Sequence, residues 1–434
     1  MSQPVAEVVH APAPSEREAR RVARAAFIGT TIEWYDFYVY ASTATLVFGA
    51  KFFPSMSATG ATLASFASIS VAFLARPIGG LVFAHFGDRI GRKATLIASL
   101  LLMGISTTLV GVLPTYETIG PLAPVLLLLL RFVQGVAVGG EWGGAVLMAT
   151  EFAPSGKRAR LSSWPQQGVT AGLALSTALL LLVSMVIPRD AYLAWGWRLA
   201  FLFSAVLIVV GLVLRLRINE SPVFEASKGK SKGLPIATVF RETRRTAILA
   251  TLAYIAVSTT FYVPFIFLLS HATTTLKISQ PAALVAVLIA AGVYSIGLRA
   301  SAGVADRWGR RVALLIGFGG AIVAVFPMVV LVETGSPVLF AVGLALYVLP
   351  VGCAYGPVGV YFAELFPTAT RYSGVTVANQ GGSLLGAAIA PFIAVELYAT
   401  LGMFAVGAYL LLVSAISGAA VWFLGETRHL ELDR

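Results

Sequence analysis

"GDRIGRK" at residues 87–93 returns, 218 positions later, as "ADRWGRR" at residues 305–311. Each stretch joins one long apolar run to the next, so the chain reads as one design written twice. A second pair supports this. "EFAPSGKRARLSSWPQQG" (151–168) falls on "ELFPTATRYSGVTVANQG" (364–381) at a constant offset of 213. Glu151 falls on Glu364, Pro154 on Pro367, Arg158 on Arg371, Gln167 on Gln380 and Gly168 on Gly381. A third echo sets "NESP" (219–222) against "GETR" (425–428).

The surroundings of these repeats are membrane-like. The 434 residues are 58% hydrophobic and 12% charged, with mean hydropathy +0.85. Soluble domains carry about 25% charged residues, so this composition cannot cover a water-facing surface. Twelve apolar segments are long enough to span. They lie near 24–49, 60–84, 94–113, 121–148, 162–187, 196–215, 246–270, 282–303, 312–332, 337–362, 374–398 and 402–424, the fourth and tenth broken by glycines. The expected fold is all-α integral membrane, with twelve transmembrane helices in two parallel six-helix halves. Because six is even, both halves begin and end on one side, as parallel repeats do. The expected organisation is an N-terminal tail (1–21), a first bundle (22–217), a linker (218–245) containing "KGKSKG", a second bundle (246–424) and a C-terminal tail (425–434).

The net charge of +11 follows the topology. Of 31 Lys and Arg, only Lys51, Arg189 and Lys277 fall in one set of alternate loops, and Arg76, Arg131, Arg198 and Arg299 lie within the apolar segments. The other 24 fall at the termini and in the opposite set of loops. The positive-inside rule then places both termini and the linker in the cytoplasm of a multi-pass inner-membrane protein. A nucleic-acid partner is excluded on the same ground. No cleavable signal is apparent, since the first apolar run is too long and carries charge. The single cysteine, Cys353, excludes an intramolecular disulfide.

Two six-helix halves with D-R-x-G-R-[KR] after helices 2 and 8 resemble the major facilitator superfamily. "EWYDFYVY" (33–40), "RPIGG" (76–80), "RFVQGVAVGGEWGG" (131–144) and "ELFPTATRYSG" (364–374) narrow the resemblance to its metabolite:proton symporter family. That family includes carriers for shikimate, α-ketoglutarate, citrate and proline/betaine. The resemblance covers residues 22–428. It departs at Ala84 and Ala302, where the superfamily motif opens with glycine. It implies a proton-coupled secondary carrier that imports a small polar metabolite, an organic acid or zwitterion, by alternating access. It also implies that a helix 1 carboxylate works with a helix 4 arginine, which matches Asp36 and Arg131.

The residues themselves point to the same chemistry. Glu33 and Asp36 lie three apart, about 300° of rotation and 4.5 Å of rise, so they share a helix face, which Tyr40 continues. An ionised group at bilayer depth costs roughly 2.5–3.5 kcal/mol even on a lenient scale, which marks a function or an ion pair. Arg131 lies on helix 4, and Glu141 follows about 15 Å deeper. The expected grouping is Asp36 with Arg131, and Glu33 and Glu141 with Arg76. Burial favours a neutral carboxyl and a neighbouring guanidinium favours the ionised one, so a moving arginine can load and release a proton. Arg itself stays charged and serves as counter-charge or anion clamp. Expected proton-coupling residues are therefore Asp36, Glu33, Arg131 and Glu141.

Expected substrate contacts are Arg131, Arg76, Tyr40, Gln134, Gln167, Tyr262, Tyr355, Asn379 and Gln380. Buried amides at lipid depth must find a partner. In the second half Arg131 is replaced by Leu344 and Glu141 by Ala354, so that half supplies aromatic and amide groups, including Tyr254, Tyr294 and Tyr347. Arg299 either snorkels to the surface or faces the cavity. The repeated motifs, with Asp88, Arg89, Gly91, Arg92, Asp306, Arg307, Gly309, Arg310, Glu151, Arg158, Glu364 and Arg371, are read as a conformational device at the membrane edge.

A drug/proton antiporter of the same fold is the main alternative; helix 5, "GVTAGLALSTALLLLV", lacks the Gly-Pro pair such exporters show. A channel or sensor would need an output domain, and no loop exceeds about 30 residues. Four scattered histidines give no metal or nucleophile spacing. The expectation is a non-enzyme with no cofactor and no metal, working as a monomer in the bilayer on a small metabolite and protons.

Overall fold

A computed structural model describes residues 16–90, 92–139, 141–216, 235–367 and 370–430, and leaves out the side chains of 18, 81, 84–90, 92–96, 141, 155, 214–215 and 235–238. Helices dominate. The first spanning unit, α1, runs Glu16–Thr43 and continues through a π-turn at Ala44–Phe48 to Phe52. Then come α2 (Ala58–Ile90), α3 (Arg92–Val112), α4 (Leu122–Val138, then Glu141–Glu151), α5 (Arg158–Val186) and α6 (Arg198–Leu216). The second half holds α7 (Arg244–Tyr262, a π-turn at Val263–Phe267, then Leu268–Thr274), α8 (Gln280–Trp308) and α9 (Arg310–Val332). It closes with α10 (Pro337–Tyr355, then Val358–Leu365), α11 (Arg371–Leu385, then Ala390–Leu401) and α12 (Met403–Leu424).

Each of the twelve expected segments is met by one of these units. Among the described residues, nine helices are long and apolar enough to cross a membrane unaided, and α6 joins them when paired with Arg189–Gly196, from which it bends by 49°. Of the other two, α1 carries Glu33 and Asp36 within its span, and the first residues of α3 have side chains outside the description. The breaks in α4 and α10 lie at the expected glycines. A third break, at 386–389 in α11, was not foreseen. It follows the "QGG" at 380–382 by a few residues, and glycine lowers helix propensity there.

Close approach sets the site. The α2 and α4 backbones touch through glycine: a Cβ at Gly79 would lie 1.9 Å from the Val136 carbonyl oxygen, and one at Gly139 2.1 Å from that of Arg76. Small residues let helices in lipid pack this tightly. This contact holds Arg76 on α2 beside Arg131 on α4. Between the halves, α5 packs along α8, and α2 meets α11.

Candidate functional site

The first half encloses a cavity of about 10 Å³, lined by Glu33, Phe37, Ala72, Arg76, Met103, Arg131, Gln134, Gly135 and Val138. That is roughly the room one water molecule needs. Arg131 is 1% exposed and Arg76 4%. The Arg131 guanidinium lies 4.6 Å from the Phe37 ring centroid and 4.1 Å from that of Tyr40. Arg76 lies 5.5 Å from the same Phe37 ring, 4.3 Å from Phe73 and 5.7 Å from Trp34. Phe37 thus serves two cations. Ring faces attract cations, by about 2 kcal/mol or more when desolvated. Arg131 Nη1 donates to Gln134 Oε1 at 2.7 Å. Its Nε and Nη2, and Nε of Arg76, are buried with no hydrogen-bond partner among the described residues.

Asp36 is 1% exposed and accepts a hydrogen bond from Ser204 Oγ at 2.6 Å. Here the expected pairing is corrected. No ion pair joins Asp36 to Arg131 among the described residues. The two communicate through side chains: Arg131 holds Gln134, Gln134 Nε2 donates to Thr107 Oγ1, and Thr107 lies beside Asp36. The reason is the direction each side chain takes from its helix. Arg131 turns onto the Phe37 and Tyr40 rings, and Asp36 turns toward α6 and α3. Glu33 and Arg76 do line one cavity, as grouped. The side chain of Glu141 lies outside the description.

Facing this cluster, the second half presents tyrosines. Tyr262 packs edge-on against Phe37 at 5.8 Å and Phe73 at 5.5 Å. Tyr38 packs on Phe261 at 5.7 Å, and Phe261 on Tyr294 at 5.2 Å. The hydroxyls of Tyr38, Tyr262 and Tyr294 are buried without hydrogen-bond partners among the described residues, and that of Tyr40 lies beside Ser68. The Tyr254 hydroxyl sits beside Tyr355, Asn379 and Ser383. Tyr347, also buried, lies away toward Ser414 on α12. Arg299 is exposed and does not face the cavity.

Two expected substrate contacts are engaged elsewhere. Gln167 Nε2 donates to the Ser295 carbonyl at 3.0 Å, and Ser295 Oγ donates back to Gln167 Oε1. Gln380 Nε2 donates to the Gly139 carbonyl at 3.4 Å. Both bonds cross between the halves. The repeated glutamine is therefore an interface group in this conformation. Sequence reading also missed Phe37, Phe73, Thr107 and Ser204. Only the aromatic density of "EWYDFYVY" signalled the first of them.

At the edge where the chain ends gather, Asp306 accepts from the backbone N–H of Ala159 at 2.9 Å and of Arg160 at 3.1 Å. A carboxylate from α8 thus caps the N-terminus of α5 in the other half, where the helix dipole favours negative charge. Arg310 makes a forked bond to Glu364, 2.9 Å from Nη2 and 3.1 Å from Nε, with both side chains buried. Arg158 approaches Glu364 at 3.9 Å, and Arg371 approaches Glu151 at the same distance. Gly309 takes φ +113° to start α9. The Glu426 carboxylate accepts from the N–H groups of Arg310 at 2.9 Å and Arg311 at 3.1 Å. The Arg307 carbonyl accepts from Arg428 at 2.6 Å. The matching Asp88, Arg89, Gly91 and Arg92 lie outside the described residues and side chains. On the far side of the cavity, Ser70 Oγ donates to the Ala388 carbonyl at 2.6 Å, so the halves also touch there.

Two bundles related by repeat, closed around buried charges and gripped at both edges, define a membrane transporter. The chain belongs to the Major Facilitator Superfamily, whose family model matches residues 26–391. It is 42% identical over 419 residues to the inner membrane metabolite transport protein YhjE of Escherichia coli (strain K12), covering 95% of each chain. It is 39% identical to the shikimate transporter of the same organism, over 87% of this chain and 88% of that one. It is 32% identical to its proline/betaine transporter, over 92% and 82%. In fold it matches the proton:xylose symporter XylE with a TM-score of 0.75 and 18% identity, over 96% of this chain and 98% of that one. It is a multi-pass membrane transporter, not an enzyme.

Proposed function

We propose that the chain imports a small organic acid or zwitterion together with protons across the inner membrane. The observation that carries this reading is the Arg76–Phe37–Arg131 arrangement. Two buried cations share one ring and one cavity, and three of their N–H donors lack hydrogen-bond partners among the described residues. Buried N–H donors are costly to leave unsatisfied, and Glu33 is the one described carboxylate in this cavity wall for two guanidiniums. A substrate carboxylate is the group that would satisfy both forks. The tyrosine wall of the second half then receives the remainder of the substrate, with Tyr262 at the junction. Gln134 and Tyr40 orient Arg131. Tyr355 and Asn379 border the wall. The relatives named for shikimate and for proline/betaine transport support a substrate of this kind.

In this proposal Asp36 carries the proton, and Glu33 supports it from the cavity wall. Protonation of Asp36 removes a buried charge and loosens the Ser204–Asp36–Thr107–Gln134–Arg131 chain, so Arg131 is freed to hold or release the anion. Glu141 remains a second candidate. Asp306 on the N–H groups of Ala159 and Arg160, and Glu364 beside Arg158, hold one gate shut between the halves and must part when the carrier opens to that side, while Arg310 and Glu426 brace the second half. The proposed halves are residues 22–217 and 246–424, with 218–245 as linker and both termini cytoplasmic, on the charge asymmetry.

Uptake into proteoliposomes under an imposed inward proton gradient tests this reading. The panel holds shikimate, dicarboxylates, citrate, betaine and aromatic acids. Saturable, gradient-dependent accumulation of one of them is expected. Extrusion of lipophilic cations instead would select the antiporter.

A further inference from the structure

A second site lies outside the transport path. The start of α7 and the end of α12 border an open groove of about 620 Å³, lined by Arg244, Arg245, Ile248, Leu249 and Phe423. Both arginines are exposed, and neither guanidinium has an ion pair or hydrogen bond among the described residues. The floor is apolar where a soluble protein would be polar: Ile248 is exposed, and Phe423 is 66% exposed. Around the groove the chain is built for a membrane boundary. A short helix, Pro235–Glu242, precedes α7 with Val239 buried, Phe240 outward and Arg241 exposed. Next to Phe423, Trp422 projects outward under the Arg311 guanidinium at 4.0 Å. Aromatic rings and cations together mark the headgroup level.

We propose that this groove binds an anionic phospholipid of the adjoining leaflet. Arg244 and Arg245 hold the phosphate, and an acyl chain lies against Ile248, Leu249 and Phe423. The two guanidiniums are adjacent in sequence at the first turn of α7, so the start of that helix adds its favourable dipole to their charge. Guanidinium forks match phosphate oxygens. Basic pockets between membrane helices are known to take lipid headgroups. Free phosphate would use the cations and leave the apolar floor bare. A zwitterionic lipid would use the floor, but its own ammonium competes with the arginines for the phosphate and leaves no net charge to balance theirs. An anionic lipid fills the floor and also balances the charge of both cations. The site is independent of the substrate.

Native mass spectrometry of the purified, delipidated full chain tests the proposal. It is titrated with phosphatidylglycerol, with phosphatidylcholine and with inorganic phosphate. Saturable retention of phosphatidylglycerol is expected, weakened roughly tenfold or more in the double variant R244Q/R245Q. Ile248→Gln keeps both cations and is expected to weaken the same retention, because the floor loses its apolar contact. An unchanged thermal melt of each variant separates loss of the site from loss of the fold. Equal retention of both lipids by the native chain, or of phosphatidylglycerol by native chain and double variant, overturns the proposal. So does displacement of phosphatidylglycerol by equimolar inorganic phosphate.

Discussion

Asp36 and Arg131 are both buried in the first half, and among the described residues they meet through Thr107 and Gln134 rather than directly. Charge compensation between them is therefore indirect. A relay of hydroxyl and amide can pass a change of protonation state at one end to a change of geometry at the other.

The first prediction concerns the proton. Asp36→Asn keeps size and hydrogen-bonding capacity but cannot titrate. It is expected to abolish accumulation driven by a proton gradient while leaving substrate exchange intact, since exchange needs no net proton release. Glu33→Gln is expected to shift the pH optimum of uptake without abolishing coupling. Full gradient-driven uptake by the Asp36→Asn protein would move the role to Glu141.

The relay itself can be cut. Gln134→Leu removes the amide that joins Arg131 to Thr107 and leaves both charges in place. Substrate exchange is expected to weaken less than gradient-driven uptake. An equal fall in both would mean that Gln134 acts on the substrate directly.

For the arginines, replacement by Lys keeps charge and loses the planar fork. Arg131→Lys is expected to raise the substrate concentration for half-maximal uptake about tenfold, the loss of one charge-assisted hydrogen bond of roughly 1.5 kcal/mol. Arg76→Lys is expected to do the same if Arg76 also grips the anion. A fall in thermal stability with unchanged half-saturation would give Arg76 a purely structural role.

The gate offers a stability test. Arg310→Gln leaves Glu364 buried beside a neutral amide, and breaking such a pair costs about 3–5 kcal/mol. Gly309→Ala is expected to be costly too. Its φ of +113° disfavours a side chain, and a Cβ would lie 2.3 Å from the Glu426 carboxylate. Thermal unfolding in detergent should fall clearly for both. An unperturbed Gly309→Ala melt would contradict the account of the α8–α9 turn.

Topology can be read from outside. With Cys353 replaced, a cysteine at position 230 is expected to resist impermeant reagent applied to intact cells. Labelling there would reverse the proposed orientation.

Much of this architecture was legible in the chain because a bilayer imposes long-range order on local composition. Twelve apolar runs, the loop charges and the doubled "DRxGR" follow from hydropathy and repetition, and neither needs to know which helices touch. Helical rise gave an expected depth for Asp36, Arg76 and Arg131. It did not give their partners. Two charges at similar depth on helices 1 and 4 invite pairing, but side-chain direction depends on how each helix is rotated about its axis, and that rotation is set by packing. Glycine contacts draw α4 onto α2, and Arg131 then meets Phe37 and Tyr40 while Asp36 meets Ser204. Gln167 and Gln380 show the same limit. Their repetition marked them as important, but only the tertiary structure could decide between the substrate and the seam between the halves, because one helix face can serve either until its neighbour is known.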